Sequence, residues 1–153
     1  MSNFSAADVK QLRHQTGAGV LDCRRALEQA DGDMAKAVEL VRAKGLARAE
    51  KKADRPTNEG YVAAYVHQTG KIAVLVELLS ETDFVARNDQ FRHLAREIAM
   101  QVASMAPTTV DELLAQEYIR DSSQTLEQLV KQTSGTLGEK LAVSRFVRYQ
   151  VGE

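Results

Sequence analysis

The chain is poor in the residues from which disulfides, metal sites and catalytic centres are usually built. Its single cysteine, Cys23, cannot form an internal disulfide or a structural zinc site. The three histidines, His14, His67 and His93, fall in separate predicted elements, and none can be paired with a nucleophile. Asp22, beside Cys23, is interpreted as an exposed helix carboxylate. The sequence therefore predicts no enzyme, no bound metal and no cofactor, and it favours a protein that acts by binding.

Tryptophan is absent, and aromatic residues make up only 5% of the chain. Because these few aromatics do not alternate with basic residues, and the net charge is −1, direct binding of nucleic acid is not expected. No apolar run approaches the roughly 18 residues of a membrane span, and the N-terminus does not resemble a signal peptide. These absences predict a cytoplasmic protein that binds neither nucleic acid nor a membrane.

The first part of the chain has the apolar spacing of three short helices. The first helix begins after Ser5, and two glycines among residues 16–19 end it with a sharp turn. The second helix spans about residues 20–30. Asp33 is a good N-cap for the third helix, which is expected to end near Gly45. Together the three helices predict a small bundle.

The helical pattern disappears in the basic segment that follows, and a strand pattern replaces it. Residues 48–59 are therefore predicted to be a linker, either a solvated tether or a surface for an acidic partner. Residues 61–67 and 72–79 predict an antiparallel hairpin, in which the second strand is central because both of its faces are apolar. Residues 141–151 alternate as a third strand.

Three further helices are predicted between the second and third strands, beginning near Asn88, Thr109 and Thr125. The expected fold class is α+β. A three-helix domain (1–47) and a basic linker (48–59) precede an α+β core domain (60–153), in which helices cover a three-stranded antiparallel sheet.

The segment from Glu81 to Asn88 is unusually apolar for a loop between a strand and a helix. Phe84 and Val85 lie in its middle, between charged residues. An exposed aromatic that two rigid elements hold in place is a candidate recognition wedge. The alternative is that Phe84 folds back onto its own core.

Two stretches resemble signatures of the bacterial elongation factor Ts family. They are Leu-Arg-His-Gln-Thr-Gly-Ala-Gly-Val-Leu-Asp-Cys-Arg-Arg-Ala-Leu at 12–27 and Thr-Asp-Phe-Val-Ala-Arg-Asn at 82–88. A looser third match is Gly138-Glu139, followed by the strand that contains Arg145. The matches come in the family's order and span nearly the whole chain. The resemblance implies a ubiquitin-associated-like N-terminal bundle. It also implies a guanine-nucleotide exchange factor for the translational GTPase elongation factor Tu.

The resemblance also implies which residues contact the GTPase. The N-terminal bundle would dock through its glycine turn and second helix, and the loop would press on the GTPase near its nucleotide-bound Mg²⁺ and release GDP. The implied contact residues are Arg13, Val20, Leu21, Thr82, Asp83, Phe84 and Val85. Asp83 would either support the loop by hydrogen bonding or act electrostatically near the metal. Arg13 could equally be a solvated surface charge.

The chain resembles the short form of the family, which has a single core subdomain. By that resemblance two copies pair, and a homodimer is expected through a sheet edge or through the face that carries Tyr61 and Tyr65. Two alternatives remain open. One is an adaptor or dimerisation protein without exchange activity, and the other is a paralogue with weakened exchange activity.

Overall fold

Helices form the first third of the chain, and a small sheet with helices packed on it forms the rest. The computed structural model describes residues 2–153. The helices are α1 (Ala6–Thr16), α2 (Val20–Gln29), α3 (Met34–Glu50), α4 (Asp83–Ala86), α5 (Asp89–Met105), α6 (Val110–Ala115) and α7 (Leu126–Leu137). The strands are β1 (Glu59–Val66), β2 (Ile72–Ser80), β3 (Glu117–Tyr118), β4 (Asp121–Thr125) and β5 (Ala142–Gln150). The predicted α+β class is confirmed.

Local signals begin and end the N-terminal helices as expected. Ser5 and Asp8 form a reciprocal capping box at the start of α1. Gly17, at φ +71°, ends that helix in the left-handed region, and its N–H donates to the carbonyl of Arg13 at 2.7 Å. Asp33 caps α3. The residues buried between the three helices include Leu12, Cys23, Leu27 and Ala37, all fully inaccessible to solvent.

The third helix runs to Glu50, so its predicted end near Gly45 is wrong. Gly45 is buried inside the helix, where it faces α7, and a glycine that allows close packing need not end a helix. Alanines follow at positions 47 and 49 and favour helix continuation. Residues 48–50 are therefore helical rather than part of a linker. The division into domains stays a prediction.

The main sheet has the order β1–β2–β5, and both pairings are antiparallel. The central position of β2 agrees with its apolar sequence. One face of the sheet packs against α5 and buries Val74, Val76 and Leu78 together with Phe91 and Ile98 of that helix. The loop between β2 and α5 is thus anchored at both ends in the same hydrophobic core.

Tyr61 and Tyr65 point toward this core, so the expectation that their face supplies a dimer interface is wrong. Both tyrosines are half-buried, and the Arg92 guanidinium of α5 lies 4.6 Å from the Tyr61 ring centroid. The opposite face of the sheet is the exposed one. Its apolar side chains include Val62, Leu75, Val147 and Tyr149.

A two-stranded hairpin, β3–β4, was not predicted because its residues are polar and do not alternate. Two buried polar side chains of α5 attach it to the core. Glu97 accepts hydrogen bonds from the Tyr118 hydroxyl at 2.6 Å and from Arg120, and Gln101 accepts one from the Ile119 N–H at 2.9 Å. Burial, with the Glu97 carboxylate beside it, raises the pKa of Tyr118.

Asp22 is not the exposed carboxylate that the sequence suggested. Its side chain is only 20% exposed and bridges α2 to α3 through ion pairs with Lys44 at 2.8 Å and Arg48 at 2.7 Å. Hydrogen bonds from Arg48 and Lys44 lower the pKa of Asp22 to about 2.

Across residues 2–153, the structure contains no helix that is both long and apolar enough to cross a bilayer.

Candidate partner-binding surface

The loop after β2 contains a single helical turn, α4, which turns neighbouring side chains in opposite directions. Thr82 caps the turn, and its side chain accepts from the Val85 N–H at 3.4 Å. Val85 is 6% exposed and Ala86 is 5% exposed, whereas Phe84 is 82% exposed. Phe84 therefore does not fold back onto its own core. It projects into solvent from a turn whose other apolar residues are buried.

A carboxylate from the far end of the domain holds this loop. Glu139, just before β5, accepts from the N–H groups of Glu81 at 3.2 Å and Thr82 at 3.0 Å, and from the Thr82 hydroxyl at 2.6 Å. Glu81 in return accepts from the Lys140 N–H at 2.7 Å. We call this pair of reciprocal contacts the Glu81–Glu139 clamp. Its one signal in the sequence is the loose Gly138-Glu139 match, which assigns Glu139 no role.

The other end of the loop is fixed by α5. The Asn88 side chain accepts from the N–H groups of Gln90 at 2.8 Å and Phe91 at 3.2 Å, and thereby caps the helix. The Arg92 side chain donates to the Ala86 carbonyl at 3.2 Å. With the clamp on one side and α5 on the other, the backbone beneath Phe84 has little room to move.

The loop residues named from the sequence do not all reach the surface. Thr82 and Asp83 are exposed, and Asp83 pairs with Arg87 at 3.1 Å on the surface of the turn. Val85 is part of the core, and the partner contact expected at this position stays a prediction. The burial of Val85 anchors the turn that presents Phe84.

The N-terminal contact residues line a second exposed patch. Val20 is 51% exposed and Leu21 is 68% exposed. Both residues therefore face solvent, whereas the sequence predicted this for only one of them. Arg13 and Val20 line a groove of about 420 Å³ between α1 and α2. The groove has apolar walls from Phe4 and Val9 and further basic residues, Lys10 and Arg24, around it. We call it the α1–α2 groove.

The fold brings the two predicted signatures next to each other. A methyl group added at Gly17 would lie 2.5 Å from the Gln90 side-chain nitrogen, in the first turn of α5. Arg55, in the segment after α3, pairs with Glu81 at 3.5 Å. The turn that leads into α2 and the loop that carries Phe84 therefore belong to one region of the surface.

Among the described residues, metal-ligating side chains and the thiol are not grouped at this surface. Within residues 2–153, no three histidine, cysteine or carboxylate side chains come close enough to hold a metal ion. Cys23 is buried, and that burial raises the pKa of its thiol, which disfavours a reactive thiolate. What the surface offers is shape, an exposed aromatic ring and positive charge.

Known proteins have sequences similar to that of this chain. A family model described as Elongation factor TS matches residues 81–153, which include the loop and the clamp. The protein named Elongation factor Ts from Oleidesulfovibrio alaskensis is 41% identical over 197 aligned positions, which cover 99% of this chain and 100% of that protein. The chain belongs to the elongation factor Ts family.

Two other relatives named Elongation factor Ts differ in how much of them the chain covers. The protein from Desulforamulus reducens is 40% identical, over 100% of this chain and 91% of that protein. The protein from Trichlorobacter lovleyi is 46% identical over 146 positions, which cover 95% of this chain but 47% of that protein. Membership in the elongation factor Ts family places the chain among factors of translation elongation.

Over their aligned length, this elongation factor Ts family member is shorter than the O. alaskensis protein. The alignment with the O. alaskensis protein has 197 positions, 44 more than the 153 residues of this chain, so at least 44 positions of that relative have no counterpart here.

Proposed function

We propose that the chain is a guanine-nucleotide exchange factor that binds elongation factor Tu and promotes release of GDP in the cytoplasm. The observation that carries the proposal is the exposed Phe84 on a clamped turn, within a family that is named for translation elongation. Covering a large exposed apolar side chain with a partner is favourable, by about 25 cal/mol per Å² of apolar surface removed from water. Exchange requires no covalent step, so this protein would not be an enzyme in the chemical sense.

The proposed mechanism is mechanical and electrostatic. Mg²⁺ needs near-ideal octahedral geometry and neutralises phosphate oxygens that otherwise repel each other. Phe84 would insert beside the elements of the GTPase that support this ion, with Thr82 and Asp83 at the rim of the contact. A small displacement there weakens the hold on Mg²⁺ and phosphate without any contact to the nucleotide. By linkage, bound nucleotide weakens binding of the factor by the same free energy.

The α1–α2 groove would provide the second point of attachment. Its apolar walls and its basic residues, among them Arg13, fit an amphipathic helix with acidic residues along its edges. Val20 and Leu21 would then be covered by the partner. Attachment at this groove gives Phe84 something to push against, because a wedge with only one contact would move away from its target.

The test is release of fluorescent N-methylanthraniloyl-GDP from purified elongation factor Tu, with the unmutated chain, Phe84→Ala and Ile119→Ala. Ile119 is a matched control, since it is an exposed apolar residue (41%) outside both contact regions. Acceleration by the unmutated chain and by Ile119→Ala, together with a large loss for Phe84→Ala, supports the proposal. No acceleration by the unmutated chain rejects it. Weak acceleration that Phe84→Ala does not change would favour the paralogue alternative.

A second candidate function is an adaptor that captures a helix in the α1–α2 groove without exchange activity. The observation in its favour is the groove itself, which is open and apolar without reference to the loop. An adaptor would bind elongation factor Tu equally well with and without Phe84 and would leave GDP release unchanged. The same release assay, together with a pull-down of elongation factor Tu, separates the two functions.

We also propose that two copies pair through the exposed face of the main sheet. Leu75 is 47% exposed and Tyr149 is 73% exposed on this face, beside the Glu77–Arg145 ion pair at 3.3 Å. A twofold arrangement would cover the apolar side chains and let the carboxylate and guanidinium groups of the two copies face each other. The Phe84 loop stays outside this interface, so each copy keeps its own wedge.

A further inference from the structure

The N-terminal helices are packed directly on the core domain at a very close helix crossing. At this crossing α3 meets α7, and two glycines lie opposite each other. A Cβ atom added at Gly135 would lie 2.4 Å from the Gly45 carbonyl oxygen and 2.7 Å from the Gly45 Cα. Such distances leave no space for a side chain, because the neighbouring atoms belong to the backbone and cannot rotate away. The backbones of the two helices are therefore in direct contact.

Polar contacts lie across the same interface. Arg42 of α3 donates to Asp121 at 2.7 Å and to Ser123 at 3.1 Å, which attaches the helix to β4 as well. The close approach of Gly17 to Gln90 adds a contact near the Phe84 loop. A flexible tether between independent domains would show none of these contacts. The segment predicted as a linker instead connects two parts of the chain that are already in contact.

We propose that the Gly45–Gly135 crossing joins the N-terminal helices and the Phe84 loop into one rigid body, and that Gly135 is a positioning residue for nucleotide release. The inference rests on the proposed exchange function. A wedge displaces its target only if its second attachment is fixed relative to it, and small errors in position weaken such a contact strongly. Gly135 touches neither partner surface, so it acts only through the geometry that it permits.

Two glycine-to-alanine variants at the same crossing provide a matched test. Both changes add one methyl group inside a helix and raise helix propensity by a similar amount. Only Gly135→Ala collides with backbone, because a Cβ atom at Gly45 would meet its nearest atoms, on Gln132, at 3.4 Å, an ordinary contact distance. Gly135→Ala must therefore push α3 and α7 apart, whereas Gly45→Ala can be accommodated.

The measurement is N-methylanthraniloyl-GDP release from elongation factor Tu as a function of factor concentration, with circular dichroism to show that each variant is folded. We expect Gly135→Ala to lower the maximal release rate at saturating factor by about tenfold or more, and Gly45→Ala to stay within about twofold of the unmutated chain. A variant that is merely less stable would shift the half-saturating concentration and recover the full rate at high concentration.

A charge exchange keeps the proposal testable if Gly135→Ala does not fold. Arg42→Asp places two carboxylates opposite each other and should lower the maximal rate, and the double variant Arg42→Asp/Asp121→Arg should restore it. Failure of the double variant to restore the rate would overturn the proposal. So would a folded Gly135→Ala that matches Gly45→Ala. If the unmutated chain itself does not accelerate GDP release, the proposed exchange function fails. If the unmutated chain accelerates release but the variants do not behave as stated, only the rigid-body proposal fails.

Discussion

Replacing Glu139 with alanine should loosen the loop that carries Phe84 without unfolding the domain. The carboxylate accepts three hydrogen bonds from Glu81 and Thr82, and alanine removes all of them. Hydrogen bonds to a charged group contribute about 1.5–3 kcal/mol each when shielded from solvent, but Thr82 is exposed, so we expect a total of about 1–2 kcal/mol. A loss of this size raises the open population of the loop about five- to thirtyfold.

Amide hydrogen exchange measures this opening directly. In the closed loop the N–H groups of Ala86, Arg87 and Asn88 donate to carbonyls of the same turn at 3.2, 3.1 and 2.9 Å. In Glu139→Ala these three amides should exchange about tenfold faster, while the β1–β2 ladder stays protected. Glu127→Ala is the matched control, since that carboxylate makes only an exposed pair with Lys131 on α7.

The same variant should lower GDP release, because a loop that opens more often transmits less force. Two results would refute the reasoning. Unchanged amide exchange in residues 86–88 would mean that the clamp does not hold the loop. Faster exchange with an unaltered release rate would mean that the stiffness of the loop is irrelevant to nucleotide release.

Three further predictions concern stability and assembly. The lowered Asp22 pKa, about 2, makes its ion pairs fully stabilising above about pH 5, and the contribution is lost as the pH falls through about 4 toward 2. Because Lys44 and Arg48 are partly exposed, Asp22→Asn should cost about 1–2 kcal/mol in urea unfolding at pH 7 and about half of that at pH 3; an equal cost at both pH values would contradict the assignment. Tyr118→Phe removes one of the hydrogen bonds to buried Glu97 and should cost about 1–2 kcal/mol, and a stability equal to that of the unmutated chain would show that the bond is not needed to hold the hairpin. Leu75→Glu should shift the sedimentation of the chain from a dimer to a 16.9 kDa monomer, and an unmutated chain that already sediments as a monomer at micromolar concentration would defeat the proposed pairing.

Local signals in the sequence were sufficient for most of the elements. Helix caps at Ser5, Asp33 and Asn88 are short-range features that depend on a few neighbouring residues, and the structure confirms all three. The central position of β2 followed from its apolar composition. The residue pattern leaves two possibilities open for Phe84, exposure or folding back onto the core, and the resemblance to the family favours exposure.

Several of the features that the sequence missed depend on contacts between distant residues. Gly45 was interpreted as a helix end because its partner, Gly135, lies ninety positions further along the chain. The sequence suggests that Asp22 is exposed because its cationic partners lie far away in the chain. Lys44 and Arg48 belong to α3, 22 and 26 positions after Asp22. Glu139 lies 58 residues from Glu81, so no local pattern could assign it to the loop. Tertiary pairing of this kind leaves no periodic trace in the sequence.

The most direct test of the central claim is the coupling between this chain and nucleotide on elongation factor Tu. Binding would be titrated against nucleotide-free and GDP-bound elongation factor Tu, for the unmutated chain and for Phe84→Ala. The account predicts at least about tenfold tighter binding to the nucleotide-free form, and a clearly smaller ratio for Phe84→Ala. Equal affinity for the two forms, or a preference that Phe84→Ala leaves intact, would contradict it.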